Sequence, residues 1–496
     1  MTRDLPGRSP AAAPVAMSAV LMLALAMPGW AANGINAPGY GAAQLGLAGA
    51  GTAMAENTFA SLRNPAAGVW LESGASFDLG IALPVGETSV GAVGPNSRFG
   101  LIDVEPGRYT SVSGVFPLPS YARNWRHSDR TAFGWGITAS GLKSMTKGGS
   151  AALARGLPGF DARCEGSFGG GAPLSGTSDL LGLCGNGDAP LGVDLTQVLL
   201  SGHYAYRITD SLSVGVAAVL AAQRALLRGL GAFAAFSNEP ARTTDNGFDF
   251  SHGGGLRLGV LWEIADGVGV GAAWQSRLRQ TEFDRYRGSI VGGSLDIAST
   301  LNVGLQVHPA EGHRVLFDLE RIAFGDVKPF GSQVDPQRFS DECFIPRLLI
   351  RSDNPSELPA CLGGDAGPGF GWGDVTVYKL GYQARFGTVT WRAGFSWGGN
   401  PVNDGQTLTR FLAPAISDRH ATLGLSWRRS SGAVVDVALV HALEQRTRER
   451  NVFSNAQLSL LDGALLGYRV DSDPQDQAFE SSMRVWELHV SYSWAP

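Results

Sequence analysis

The feature that most constrains this chain is a period-two alternation that recurs from residue 76 to the C-terminal end. In its last segment Trp486, Leu488, Val490, Tyr492 and Trp494 alternate with Glu487, His489, Ser491 and Ser493. A strand with that pattern presents one apolar and one polar face. Fourteen segments carry it: 76–83, 109–118, 131–141, 195–207, 212–224, 253–263, 268–282, 295–307, 314–324, 375–385, 388–397, 419–427, 434–444 and 483–494. No run beyond residue 32 reaches the ~18 apolar residues of a spanning helix. Only 17% of residues are charged, so the chain is too apolar for disorder. A closed barrel then satisfies every backbone group without helices.

The connections alternate in length. Tight turns lie at 209–211, 265–267, 310–312, 386–388 and 430–432, and long polar or Gly/Pro-rich segments lie at 142–194, 229–250, 327–372, 398–418 and 447–482. Short turns on one rim and long loops on the other are the pattern of outer-membrane barrels, with the long loops outside the cell. The fold expected is therefore all-β, a 14-stranded antiparallel transmembrane β-barrel.

Two segments precede the strands. Arg3 and Arg8, the apolar run 15–27 and the small residues Gly29 and Ala31 make residues 1–32 a secretory signal peptide. Residues 33–72 are too small and glycine-rich to fold alone. Gly46, Ala48, Gly49, Ala50, Gly51, Ala53 and Ala55 suit close approach to other backbone, so this segment is expected to be a hatch, or plug, held by the walls of a barrel formed by residues 73–496. Pro65 fixes its own φ and moves Asn64 out of helical geometry, so Asn64, Pro65 and Ala66 end the hatch and leave its movement to the glycines before them.

Strand parity turns His203, Arg207, Arg257, Glu263, Gln275, Arg277, Arg279, Asp318, Glu320, Lys379, Arg385, Arg392, Ser396, His420 and Arg428 toward the lumen. Most such charges pair within the barrel. Arg257, Arg277, Arg279, Lys379 and Arg392 are the candidates to hold an anionic head group. The four cysteines form two local pairs, Cys164 with Cys184 and Cys343 with Cys361, expected as loop-stapling disulfides because neither spacing fits a zinc or redox motif. The histidines show no metal-ligand spacing, so neither metal nor cofactor is expected. A net charge of -5 without a basic stripe argues against a nucleic-acid partner. The sequence Gly394-Phe395-Ser396-Trp397-Gly398 matches the nucleophile-elbow pattern of lipases, but it lies in a strand-like segment with no helix after it, so Ser396 is expected to be a lumen residue.

Several blocks resemble the FadL-type outer-membrane transporters: Asn64-Pro65-Ala66, residues 255–279, Asp318-Leu319-Glu320, residues 377–382, residues 391–396 and residues 414–420. They run in family order through the chain. The resemblance implies a monomeric barrel in the outer membrane of a Gram-negative bacterium, in contact with its lipids. It implies passive uptake of long-chain fatty acids, or of aromatic hydrocarbons, by loop capture, binding in a lumen pocket, hatch movement and lateral exit beside a kinked strand. The alternatives from other classes are a lipolytic enzyme using Ser396 and an adhesive or receptor barrel displaying its loops.

Overall fold

The computed structural model describes residues 35–92, 104–112, 116–156, 190–347, 354–402, 417–451 and 477–495. The signal segment, the pair Cys164 and Cys184, and parts of several long connections lie outside the described residues. No helix among the described residues is long and apolar enough to cross a membrane.

The strands form one antiparallel sheet that closes on itself. They are β1 (Gly74–Val90), β2 (Gly107–Val112 and Phe116–Arg126), β3 (Thr131–Thr146), β4 (Leu191–Arg207), β5 (Leu212–Arg228), β6 (Asp249–Ala265) and β7 (Val268–Gln275, resuming at Arg279–Gln280). β8 (Thr300–Ala310), β9 (His313–Ile322), β10 (Val375–Phe386), β11 (Val389–Gly398), β12 (Arg419–Arg428), β13 (Val434–Arg450) and β14 (Ala478–Trp494) complete the fourteen. Closure comes from β14 pairing with β1, from Ala75 opposite Trp494 to Val90 opposite Phe479. A closed ladder leaves no free edge.

Burial follows the pleat. On β1 Leu79, Ile81 and Leu83 are exposed and the residues between them are buried; on β14 Trp486, Leu488, Val490 and Tyr492 are exposed beside buried Glu487, His489 and Ser491. The molecule is thus inverted relative to a water-soluble sandwich. The apolar belt makes it a barrel that crosses a membrane with its strands.

Two strands depart from regular alternation. In β2 the expected segment 109–118 extends to Arg126 and contains Pro117 and Pro119, which sit opposite Ile81 and Leu79 of β1. On the other side the ladder to β3 runs from Arg126 opposite Ala132 to Tyr121 opposite Ile137 and then stops, meeting again, among the described residues, at Ser111 opposite Thr146. Two prolines at positions i and i+2 remove two N–H donors from the same side of a strand. A seam between β2 and β3 is therefore unzipped beside residues 138–142.

In β7 the expected continuous strand 268–282 breaks after Gln275. Gln275 and then Leu278 and Gln280 are buried, so the inward face changes from odd to even numbers across residues 276–278. The gap on β6 is partly closed by Ser276, whose N–H donates to the Leu256 carbonyl at 2.9 Å.

Candidate functional site

The lumen is filled by the chain's own N-terminal segment, which comprises α1 (Gly41–Leu45), α2 (Ala60–Arg63) and a 3-10 turn (Pro65–Trp70). Its small residues allow contacts that larger side chains would block. A Cβ on Gly46 would lie 2.9 Å from the Cα of Gly424 on β12, and Gly49, at φ +80°, would place a Cβ 1.9 Å from the Pro38 carbonyl oxygen.

Inward-facing polar side chains then meet its backbone. Asp318 Oδ2 accepts from the Gly51 and Thr52 N–H groups, each at 2.9 Å, and from the Thr52 hydroxyl at 2.7 Å. The Ala42 N–H donates to Ser491 Oγ at 2.8 Å and the Ala48 N–H to Thr422 Oγ1 at 3.0 Å. Asn64 caps the 3-10 turn by accepting from the Ala66 N–H, while its amide donates to the carbonyls of Thr52 and Val260.

The sequence-derived cation set divides. Lys379 is fully buried, 2.6 Å from Glu320 Oε2 and donating to the Pro38 carbonyl at 2.8 Å. Arg63 of the N-terminal segment meets the same carboxylate at 3.3 Å. Arg392 contacts Glu56 at 2.6 Å, Gln383 at 3.0 Å and Asp436 at 3.6 Å. Burial raises the Glu56 carboxyl pKa, but Arg392 and then Arg314 outweigh it and hold the group below its ordinary range. Lys379 and Arg392 are thereby joined to the chain's own carboxylates.

Arg257 differs: it is buried and donates to Gln275 Oε1, yet no carboxylate among the described residues lies within ion-pair distance. The inward placement of Arg277 and Arg279 is corrected. Both lie past the break in β7, where the parity change turns Arg279 outward and leaves Arg277 half-exposed, donating to the Asp326 carbonyl at 2.8 Å. Ser396 lies within β11, its hydroxyl 2.9 Å from His420 Nδ1 on β12, and both are buried.

Above the N-terminal segment, toward the long loops, is an apolar cavity of about 150 Å³. Leu142, Leu195 and Leu227 supply its barrel wall, Phe330 and Trp372 its loop wall, and Ile35 its floor. Among the described residues that line it, Ser289 carries the one hydroxyl. Phe330 stacks on Trp372 with ring centroids 4.9 Å apart, and the Cys343–Cys361 disulfide expected from the spacing ties together the loop segments that carry Phe339 and Leu362. Parity arguments do not find this cavity, because its walls come from strand tops and loops far apart in the chain.

Beyond Ile35, two smaller cavities flank residues 36–41. One is lined by Tyr40, Arg63, Thr138, Arg257 and Glu320, the other by Tyr40, Leu118, Ser120, Ser140 and His489. Both reach the unzipped seam between β2 and β3.

These features define a membrane-spanning barrel whose lumen is occupied by its own N-terminal segment and whose loop end encloses an apolar cavity. Solved structures with this fold include a Pseudomonas aeruginosa FadL homologue (TM-score 0.58, 14% identity, 92% of this chain and 99% of that one) and the P. putida toluene transporter TodX (TM-score 0.55, 16% identity, 93% and 99%). The Ralstonia pickettii toluene transporter TbuX aligns at TM-score 0.50 and 17% identity, over 93% and 99%. No family model matches the sequence, and no curated relative does. The chain has the fold of the FadL-type barrels.

Proposed function

We propose that the protein is a monomeric outer-membrane channel for passive uptake of small hydrophobic compounds, with the apolar cavity as its binding pocket and the β2–β3 seam as its lateral exit. The carrying observation is the cavity lining, which among the described residues offers hydrocarbon and aromatic surface with a single hydroxyl. An apolar cavity of about this size in a protein core stays dry and takes a benzene-sized guest. A carboxylate placed there would be desolvated without a partner, at a cost of several kcal/mol. A neutral aromatic hydrocarbon therefore suits the pocket better than the head group of a fatty acid, in keeping with the toluene carried by two proteins of the same fold.

The long-chain fatty acid reading rests on Arg257. Its guanidinium faces the small polar cavity between Tyr40 and the seam, where the carboxylate of a passing amphipath would meet it. In either reading residues 35–40 separate pocket from exit and act as the moving part, with Asn64, Pro65 and Ala66 as the fixed end. The ligand needs only a few kcal/mol of preference for the shifted position.

Uptake of toluene and of a long-chain fatty acid into cells expressing the protein, or its Leu195→Arg variant, tests this. Faster toluene entry that the variant abolishes is the expected result. Unchanged toluene entry in a correctly folded Leu195→Arg barrel would sink the pocket assignment, and fatty-acid uptake that falls with Arg257→Gln while toluene uptake holds would favour the acid.

A further inference from the structure

At the short-turn end of the barrel, on the far side of the N-terminal segment from the apolar cavity, lies a wider opening of about 590 Å³. Arg314 on β9 and Arg385 on β10 line it, with His308, His313 and Gln383; Asp266 and Glu311 stand on the turns at its rim. Arg314 is two residues from buried Leu316 and Arg385 two from buried Gln383, so both arginines belong to the inward face of their strands.

Their hydrogen-bonding capacity is not used up. Arg314 donates from Nε to His308 Nε2 at 2.8 Å, but its Nη1 stops 3.8 Å from Glu56 Oε2, outside hydrogen-bond reach. Both of those atoms are buried without a hydrogen-bond partner. Glu56 itself is held through its other oxygen by Arg392 at 2.6 Å. Arg385 makes no ion pair with any described residue. Arg314 and Arg385 thus line an open cavity with guanidinium donors to spare, while Arg392, which holds Glu56, is also met by Asp436.

Glu56 is also where the N-terminal segment is least enclosed. From Gly41 to Val69 every residue is buried except Ala55, Glu56 and Asn57.

We propose that this mouth is a binding site for a small oxyanion, a carboxylate or a phosphate, held between Arg314 and Arg385. The bound anion competes with Glu56 for Arg314 and loosens the turn at residues 55–57 from below. The forked donors of two arginines suit a carboxylate or phosphate edge better than a monatomic ion. This site lies apart from the hydrophobic pocket and stands whether or not that pocket carries hydrocarbon.

The test uses the full-length protein in detergent and a chloride buffer, titrated calorimetrically with inorganic phosphate and separately with acetate. Hydrogen exchange of residues 51–60 is followed in parallel. Saturable binding of either oxyanion is expected, together with faster exchange in that peptide. Arg385→Gln should weaken binding about tenfold or more, the effect of losing a charged hydrogen bond, with Arg385→Lys recovering part of it. Glu56→Gln removes the competitor and should tighten binding. Heat-modifiable migration on a denaturing gel verifies that each variant is a folded barrel. No saturable binding up to high millimolar anion, or equal binding by wild type and folded Arg385→Gln, would overturn the proposal.

Discussion

The loop end of the barrel interior and the part around the N-terminal segment are built on opposite principles. At the loop end, Leu142, Leu195, Phe330 and Trp372 enclose space with surfaces that attract any apolar guest and orient none. Around the N-terminal segment, Asp318, Glu320, Lys379 and Arg392 hold it through directional, charged contacts. Exchange of contents is easy where burial is non-directional and hard where each contact has a specific partner. The proposed uptake of hydrophobic compounds needs both: a compartment that releases its guest and a stopper that does not leave with it.

The sharpest way to break this contrast is to put a charge in the apolar part. Phe330→Arg should lower hydrophobic uptake more than 100-fold, because a desolvated guanidinium costs several kcal/mol unless it draws water or an anion into the cavity. The gel shift between boiled and unboiled protein should persist. Uptake near the wild-type rate would mean that the cavity is not on the route.

The converse change removes a charge from the polar part. Lys379→Met leaves Glu320 with Arg63 alone and should weaken the hold on residues 35–52 by about 3–5 kcal/mol, the usual cost of breaking a buried pair. Hydrogen exchange should accelerate in that peptide and not in β10. If exchange in both rises together, Lys379 supports the barrel wall and not the stopper.

A smaller effect is expected where the two parts do not meet. Replacing Cys343 and Cys361 together by serine should destabilise residues 327–372 by about 3 kcal/mol in the chain-entropy model. Exchange there should rise and hydrophobic binding weaken, while β14 closure on β1 is kept. Loss of heat-modifiable migration would show that the disulfide serves the barrel itself.

The smallest effect belongs to Ser396. Its hydroxyl contributes one hydrogen bond, so Ser396→Ala should cost about 1 kcal/mol and leave uptake intact. Esterase activity present in wild type and absent in this variant would revive the hydrolase alternative.

Much of the barrel was legible in the sequence because its signal is local. The alternation in 212–224 or 483–494 depends only on which side chains face lipid, and each tight turn is written within a few residues. The same parity failed at Arg277 and Arg279. One irregularity at 276–278 reverses every inward and outward assignment beyond it, and nothing in the residue types there announces the step. The seam was half legible: Pro117 and Pro119 are visible in the sequence, but whether their missing donors face β1 or β3 depends on the register of both neighbours.

Sequence by itself determined a strand-built membrane barrel with a small-residue segment ahead of it, since solvent preference at period two is a property of each side chain. It also marked the lumen charges. Only the tertiary structure decided which of them are committed: Lys379 is engaged by Glu320 and the Pro38 carbonyl, Arg392 by Glu56 and Asp436, while Arg257 meets only Gln275 among the described residues. It alone placed an apolar cavity between Ile35, Leu195 and Trp372. A cavity or a charge partner is a relation between residues hundreds of positions apart, and that relation exists only once the sheet has closed.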